Sequence, residues 1–340
     1  MQKKLGLLLV LVLLVTVFSS CSSSKDGKKV VKIAFFPNFT HSQALLGKVQ
    51  GQFSKSFGAE YDIEWKQFNA GSSEIEALKA GEIDIGYIGP GPAINGYISM
   101  NGDIQIISGA NDAGAILVTR SDVKLKDIKE LSGKKVAIPQ FGNTQDLMLR
   151  NLLLQNGLKD SSKGGTVEIL QVSNPDVKAL FDKKEIDAAL VPEPWGSSLI
   201  KEVNANVMLD YDAIWRGGKY PTALVIARKE IIDNNSEIIE KFLKAHIELT
   251  EELKSNSGGA VDIINSEIKN LTNNSFDKDI IDASFNRMTS TIDPEKDAIM
   301  ELVKISEELG TIKGKPNFDN LFNLIILNKL LKEKGLEQIE

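Results

Sequence analysis

From residue 29 onward, short apolar runs of strand-like composition alternate with stretches whose apolar residues recur three and four positions apart. The pattern predicts strands at 30–36, 61–67 and 83–88, separated by helices at 41–53, 74–80 and 92–99. The same order then restarts with a strand at 135–138, a helix from Asp146, a strand at 167–172, a helix at 175–181, a strand at 186–191, a helix at 195–202 and a strand at 207–210. Alternation of this kind requires parallel strands joined by crossover helices, so the expected fold is α/β in two lobes of similar construction. Beyond Arg228 the pattern becomes helical. Ile238, Ile239, Phe242, Leu243 and Ile247 line one face of a helix at 237–253, residues 255–259 interrupt it, and further helices follow, including 294–309 and 321–331.

The restart is visible in letters as well as in pattern. Glu82-Ile83-Asp84 opens one strand and Glu185-Ile186-Asp187 another, each after an Ala-Leu pair on a helix and before a proline-containing turn. A second near-copy joins Ala115-Ile116-Leu117-Val118-Thr119-Arg120 to Ala223-Leu224-Val225-Ile226-Ala227-Arg228. Both read as connecting strands, paired at a hinge. Residues 29–116 with 223–340 then form one lobe with the C-terminal helices, and residues 117–222 form the other.

The stretch from Ser132 to Gly157 reads as strand, tight loop and helix. Asn143 or Thr144 can cap the helix, Asp146 falls in its first turn, and Gly157 follows its last periodic residue. The first amides of a helix have no internal partner and sit at the positive end of its dipole. Such a loop can hold an anionic oxygen without a charged side chain.

Composition adds an address. Lys3 and Lys4 precede an apolar run from Leu5 to Phe18, the form of a secretory leader at 1–20 and too short to span a membrane. It ends in Phe18-Ser19-Ser20-Cys21, which resembles the lipobox of bacterial lipoproteins, with Phe18 in place of the usual leucine. Cys21 is the chain's only cysteine, so it is expected to carry lipid, followed by a flexible polar tether at 21–28, and no intramolecular disulfide can form. Removing residues 1–20 takes away two lysines and no acid, so the formal charge of −6 becomes −8. A mildly acidic body offers no basic field for nucleic acid.

The inventory is poor in catalytic groups. The two histidines, His41 and His246, cannot make a multi-histidine metal site, and no nucleophile elbow, phosphate-binding loop or dinucleotide fingerprint occurs. Binding is better served. Ligands in open α/β sheets sit beyond the carboxyl ends of the strands, where this chain has Pro37 to His41, Gly89 to Pro92, Gly142 to Gln145 and Pro192 to Trp195.

The lipobox, the ALKAGEIDIGYIGPGPA block, LSGKKVAIPQFGNTQDLMLRNLLLQNGL, KEIDAALVPEPWG and FPNFTHSQAL together resemble ABC-transporter solute-binding proteins of the aliphatic sulfonate, nitrate and taurine group. The resemblance implies a two-lobe, periplasmic-binding-protein-like (type II) fold, each lobe a mixed, mainly parallel sheet, with the solute between the lobes. It implies ligand-facing roles for Asn38, Thr40, His41, Gly89, Gly91, Gly142, Asn143, Thr144, Gln145, Glu193 and Trp195. It further implies a monomeric, lipid-anchored receptor outside the cytoplasm, without metal or cofactor, that serves a membrane permease and its ATPase. An aliphatic sulfonate or taurine is the expected solute; nitrate, bicarbonate and a thiamin-precursor pyrimidine are the alternatives. Glu193 and Asp146 beside the site would favour a zwitterion such as an aminosulfonate, or a pyrimidine. Two further readings are a pyrimidine-synthesis enzyme on the same scaffold and a surface protein whose cleft holds no small molecule.

Overall fold

The computed structural model describes residues 27–255, 258–312, 314 and 316–340. The leader at 1–20, Cys21 and most of the tether lie outside the described residues. The first lobe opens with β1 (Lys29–Phe35), α1 (Ser42–Gln50), α2 (Gln52–Phe57), β2 (Tyr61–Gln67), α3 (Gly71–Lys79), β3 (Ile85–Ile88), α4 (Pro90–Ser99) and β4 (Ile104–Ala113). The second contains β5 (Ala115–Thr119), β6 (Lys135–Ile138), α5 (Thr144–Gln155), β7 (Glu168–Gln171), α6 (Val177–Asp182), β8 (Ala188–Pro192), α7 (Trp195–Val203), β9 (Asn206–Leu209) and α8 (Tyr211–Ile214). The chain returns in β10 (Pro221–Arg228) and ends with α9 (Lys229–Asn234), α10 (Ser236–Lys254), α11 (Gly258–Thr272), α12 (Lys278–Phe285), β11 (Met288–Ser290), α13 (Lys296–Glu308) and α14 (Ile325–Glu333). Among the described residues no helix is long and apolar enough to cross a membrane.

The sheets run in the orders β11-β4-β10-β3-β1-β2 and β7-β6-β8-β5-β9. In the first, β1 lies parallel to β2 and β3, and β10 runs antiparallel between β3 and β4. In the second, β6 lies parallel to β7 and β8, and β5 runs antiparallel between β8 and β9. The two near-copied segments are therefore not paired with each other. Each runs antiparallel to both of its neighbours inside its own sheet, a position its continuous apolar run suits because both its faces are covered.

The repeated letters have a physical role. Asp84 accepts from the Lys32 amide at 2.9 Å and pairs with Arg228 at 2.7 Å. Asp187 accepts from the Lys135 amide at 3.0 Å and lies 3.4 Å from Arg120. In each lobe the aspartate thus ties the first parallel strand to the arginine that ends the antiparallel one.

The chain passes between sheets at 113–115 and 219–221. Ala113 (φ 58°) and Gly114 (φ 77°) both adopt left-handed backbone at the first crossing. Elsewhere two expectations change. The helix expected at 41–53 is split by Gly51 (φ 69°) into α1 and α2. Strand β4 went unpredicted because its sequence, IQIISGANDA, interrupts the apolar run with Gly, Asn and Asp, yet all ten residues are buried.

Candidate functional site

Loops from both lobes enclose a small cleft with about 60 Å³ open to the centres of water-sized groups. From the first lobe it is lined by Phe36, Asn38, Thr40, His41, Asn69, Ala70, Gly71, Gly89, Pro92 and Thr222, and from the second by Pro139, Gln140, Asn143, Thr144, Gln145, Pro192 and Asn174. None of these is Lys, Arg, Asp or Glu.

Hydrogen bonds inside the wall fix which atoms face the cleft. Asn143 Oδ1 accepts from the Asp146 amide at 2.8 Å, the capping role its position predicts. Its Nδ2 therefore donates to Gln145 Oε1 at 3.0 Å, which leaves Gln145 Nε2 as the end of that amide without a partner among the described residues. The donor-only indole of Trp195 gives its Nε1–H to Asn38 Oδ1 at 3.1 Å, so the Asn38 NH₂ also has no partner among the described residues. The amides of Thr144 and Gln145, in the first turn of α5, have no acceptor among the described residues. In the first lobe, His41 Nδ1 accepts from the Phe36 amide at 3.2 Å while its ring stacks on Phe36 at 4.8 Å. The proton then resides on Nε2, which has no partner among the described residues, in a ring that lines the cleft. Burial lowers the His41 pKa to about 3, so it is a neutral donor.

Seven of the sequence-predicted residues line the cleft: Asn38, Thr40, His41, Gly89, Asn143, Thr144 and Gln145. Gly91, Gly142, Glu193 and Trp195 do not, and each has other work. The Gly91 amide donates to Thr144 Oγ1 at 3.3 Å, and a Cβ there would lie 2.9 Å from Asn143 C and Thr144 N, so Gly91 is where the lobes touch. Gly142 (φ 75°) gives its amide to Asp146 Oδ2 at 2.8 Å and accepts from Asn95 across the lobes at 3.3 Å. Glu193 is fully buried and caps α7, accepting from the Ser197 amide at 2.9 Å, the Ser197 hydroxyl at 2.9 Å and the Ser284 hydroxyl at 3.2 Å, with Arg287 at 3.5 Å. Burial raises its pKa while Ser197 and Arg287 oppose the shift. Trp195 stands edge-on to Phe276 at 5.5 Å.

Asp146 is also accounted for: besides Gly142 it receives Arg150 Nε at 2.7 Å, and Arg150 continues to Asp160 at 2.8 Å. His246 lies apart from the cleft, between Tyr87 Oη and Gly109 O, each at 2.8 Å. Sequence reasoning missed Asn69, Gln140 and Asn174, neutral amides in the loops that follow β2, β6 and β7. Gln140 bridges the lobes by donating to Ser72 Oγ at 2.7 Å and accepting from the Ser72 amide at 3.4 Å.

Two lobes of one strand order, closing on a polar cleft at the ends of their strands, define a periplasmic-binding-protein type of fold. The chain belongs to the NMT1-like family, whose model matches residues 24–264. It is 27% identical over 208 residues to the taurine-binding periplasmic protein of Escherichia coli K12, a match covering 60% of this chain and 61% of that one. The chain spans about 60% of the length of other curated relatives it matches as well. Its fold resembles the periplasmic aliphatic sulphonate binding protein of Escherichia coli, with TM-score 0.71 at 19% identity over 87% of this chain and 92% of that one. The periplasmic nitrate-binding protein of Synechocystis PCC 6803 superposes with TM-score 0.73 at 15% identity, over 90% of this chain and 89% of that one.

Proposed function

We propose that the protein is the extracytoplasmic solute-binding component of an ABC importer. It captures a small organic anion, an aliphatic sulfonate above all, between its lobes and delivers it to a membrane permease. The observation that supports this reading is the donor set: the residues that carry the Thr144 and Gln145 amides, His41 Nε2–H and the NH₂ groups of Asn38 and Gln145 all line one cleft. Sulfonate and nitrate oxygens are charged but weak bases, and several neutral donors satisfy them without a buried cation. The names of the taurine-, sulphonate- and nitrate-binding relatives support the same class. Residues 29–116 with 223–340 and residues 117–222 act as the two jaws, and lipid on Cys21 holds the monomeric receptor at the membrane.

The test is a thermal-shift panel of alkanesulfonates, taurine, nitrate, bicarbonate and pyrimidines. A solute at about a hundred times its dissociation constant adds about 2.7 kcal/mol to the unfolding free energy. A melting curve unmoved by every member rejects the reading, and turnover of a pyrimidine precursor would replace it with the enzyme.

A further inference from the structure

We infer that the cleft selects solutes with a single anionic head and no ammonium group, and so rejects aminosulfonates that share that head. This inference rests on the proposed solute-binding reading and sharpens its substrate class. It stands on where the nearby charges are directed.

An ammonium held beside a sulfonate needs a carboxylate or a cluster of free acceptors. The two acids closest in sequence to the cleft loops are unavailable. Both Asp146 oxygens are occupied, one by the Gly142 amide at 2.8 Å and one by Arg150 at 2.7 Å. Glu193 is buried under α7 and committed to Ser197, Ser284 and Arg287. Neither lines the cleft.

The wall amides point the same way. Asn38, Gln140, Asn143 and Gln145 each spend the carbonyl oxygen on a protein donor, respectively the Trp195 indole, the Ser72 amide, the Asp146 amide and Asn143 Nδ2. What remains is rich in donors. A helix N-terminus alone would be weak ground, but His41 is 2% exposed, lines the same cleft and has an Nε2–H without a partner among the described residues. Among the described lining side chains, the acceptors left over are neutral: the carbonyl oxygens of Asn69 and Asn174 and the hydroxyl of Thr40. The Asn174 oxygen is buried and has no partner among the described residues. It can take a hydroxyl, but it cannot compensate a desolvated cation.

The experiment compares three solutes of one shape by titration calorimetry on the mature chain. They are propane-1-sulfonate, 2-hydroxyethanesulfonate and 2-aminoethanesulfonate, and nitrate, bicarbonate and a 4-aminopyrimidine are run beside them. The expected result is that the first two bind and the aminosulfonate binds weaker by about a hundredfold or more, because its ammonium is buried without a counter-charge. Equal or tighter binding of the aminosulfonate overturns the inference and leaves the solute-binding reading in place. Binding of the pyrimidine alone overturns the inference, and binding of nothing overturns both.

A backbone variant tests the anchor of the anion. Gln145→Pro removes one amide at a first-turn position that tolerates proline, and Gln145→Ala removes only the side chain. The proline variant should bind the preferred sulfonate about tenfold more weakly than the alanine variant, one charge-assisted hydrogen bond's worth, with the ligand-free melting temperature of the two alike. Equal affinities would remove the α5 amide from the site and the inference with it.

Discussion

His41 shows how a titratable residue is made into a fixed one. Its Nδ1 is taken by the Phe36 amide, and burial brings its pKa to about 3, so the ring stays neutral from pH 5 to 8. Affinity for a fully ionised sulfonate should therefore change less than about threefold over that range. A steep rise below pH 6.5 in a calorimetric series would mean that imidazolium holds the anion. Asp112 behaves oppositely. It sits at the first crossing with Oδ1 unpartnered, and burial first, then Glu295 and Asp293, lift its pKa to about 8 against the pull of Lys254 and Lys219. The folded chain keeps a proton that the unfolded chain releases between about pH 4 and 8, so this group's contribution is complete below pH 4 and is lost as the pH rises. Asp112→Asn does not titrate. Its stability relative to the natural chain should climb across that window, by at most about 1.4 kcal/mol per pH unit, and level off above pH 8. Urea denaturation at pH 4.5, 6 and 7.5 measures the difference, and parallel stability curves would refute it.

Among elements, the contact between α4 and the loop before α5 separates folding from closure. Pro90 and Pro92 carry no amide hydrogen, and the Gly91 amide is given to Thr144, so α4 contributes a close-packing surface to the cleft and no free donor. Gly91 has ordinary helical backbone, and alanine would suit it in an open molecule. In the closed one its Cβ would press on the Asn143–Thr144 backbone at 2.9 Å. Gly91→Ala should leave ligand-free stability unchanged or slightly higher and weaken solute binding tenfold or more, about 1.4 kcal/mol. Gly86→Ala is the contrast: its Cβ would fall 2.0 Å from the buried Glu74 carboxyl within one lobe, so it should lower stability itself. Equal affinity in Gly91→Ala and the natural chain would show that this contact does not limit closure. These elements were legible because period and turn residues announce them, and the Asp84 and Asp187 copies marked equivalent strands. Strand β4 was not, since burial by neighbours far along the chain overrode a sequence broken by Gly, Asn and Asp. The direction in which Asp146 and Glu193 point was equally invisible. Sequence places an acid beside a loop, while its partners Arg150, Ser284 and Arg287 decide which way it turns.

For the whole molecule, the contacts between the lobes are of two kinds. Around the cleft the lobes meet through neutral contacts, Gln140 with Ser72, Asn95 with Gly142 and Trp195 with Asn38, each of which water can replace. Elsewhere they are joined by charge, at Arg216 with Glu301 and at Arg287. Arg287, just past α12, gives Nε to Asp210 at 2.7 Å and Nη1 to Ser197 at 3.0 Å beside buried Glu193. Phe285 of α12 packs on Phe39 of the first lobe at 5.2 Å while Ser284 donates to Glu193 of the second at 3.2 Å, so α12 bears on both lobes at once. Arg287→Met should cost about 2 kcal/mol, less than a fully buried pair because Asp210 is 41% exposed and its share is screened. The loss comes chiefly from Glu193, which keeps its burial and loses its cation, so the carboxyl's pKa should rise further and the defect should grow with pH. Adding Glu193→Gln removes that charge. The double variant should then be less destabilised than the sum of the singles, by about 1 kcal/mol or more in a urea-denaturation cycle, and strict additivity would show that Arg287 acts through Asp210 alone.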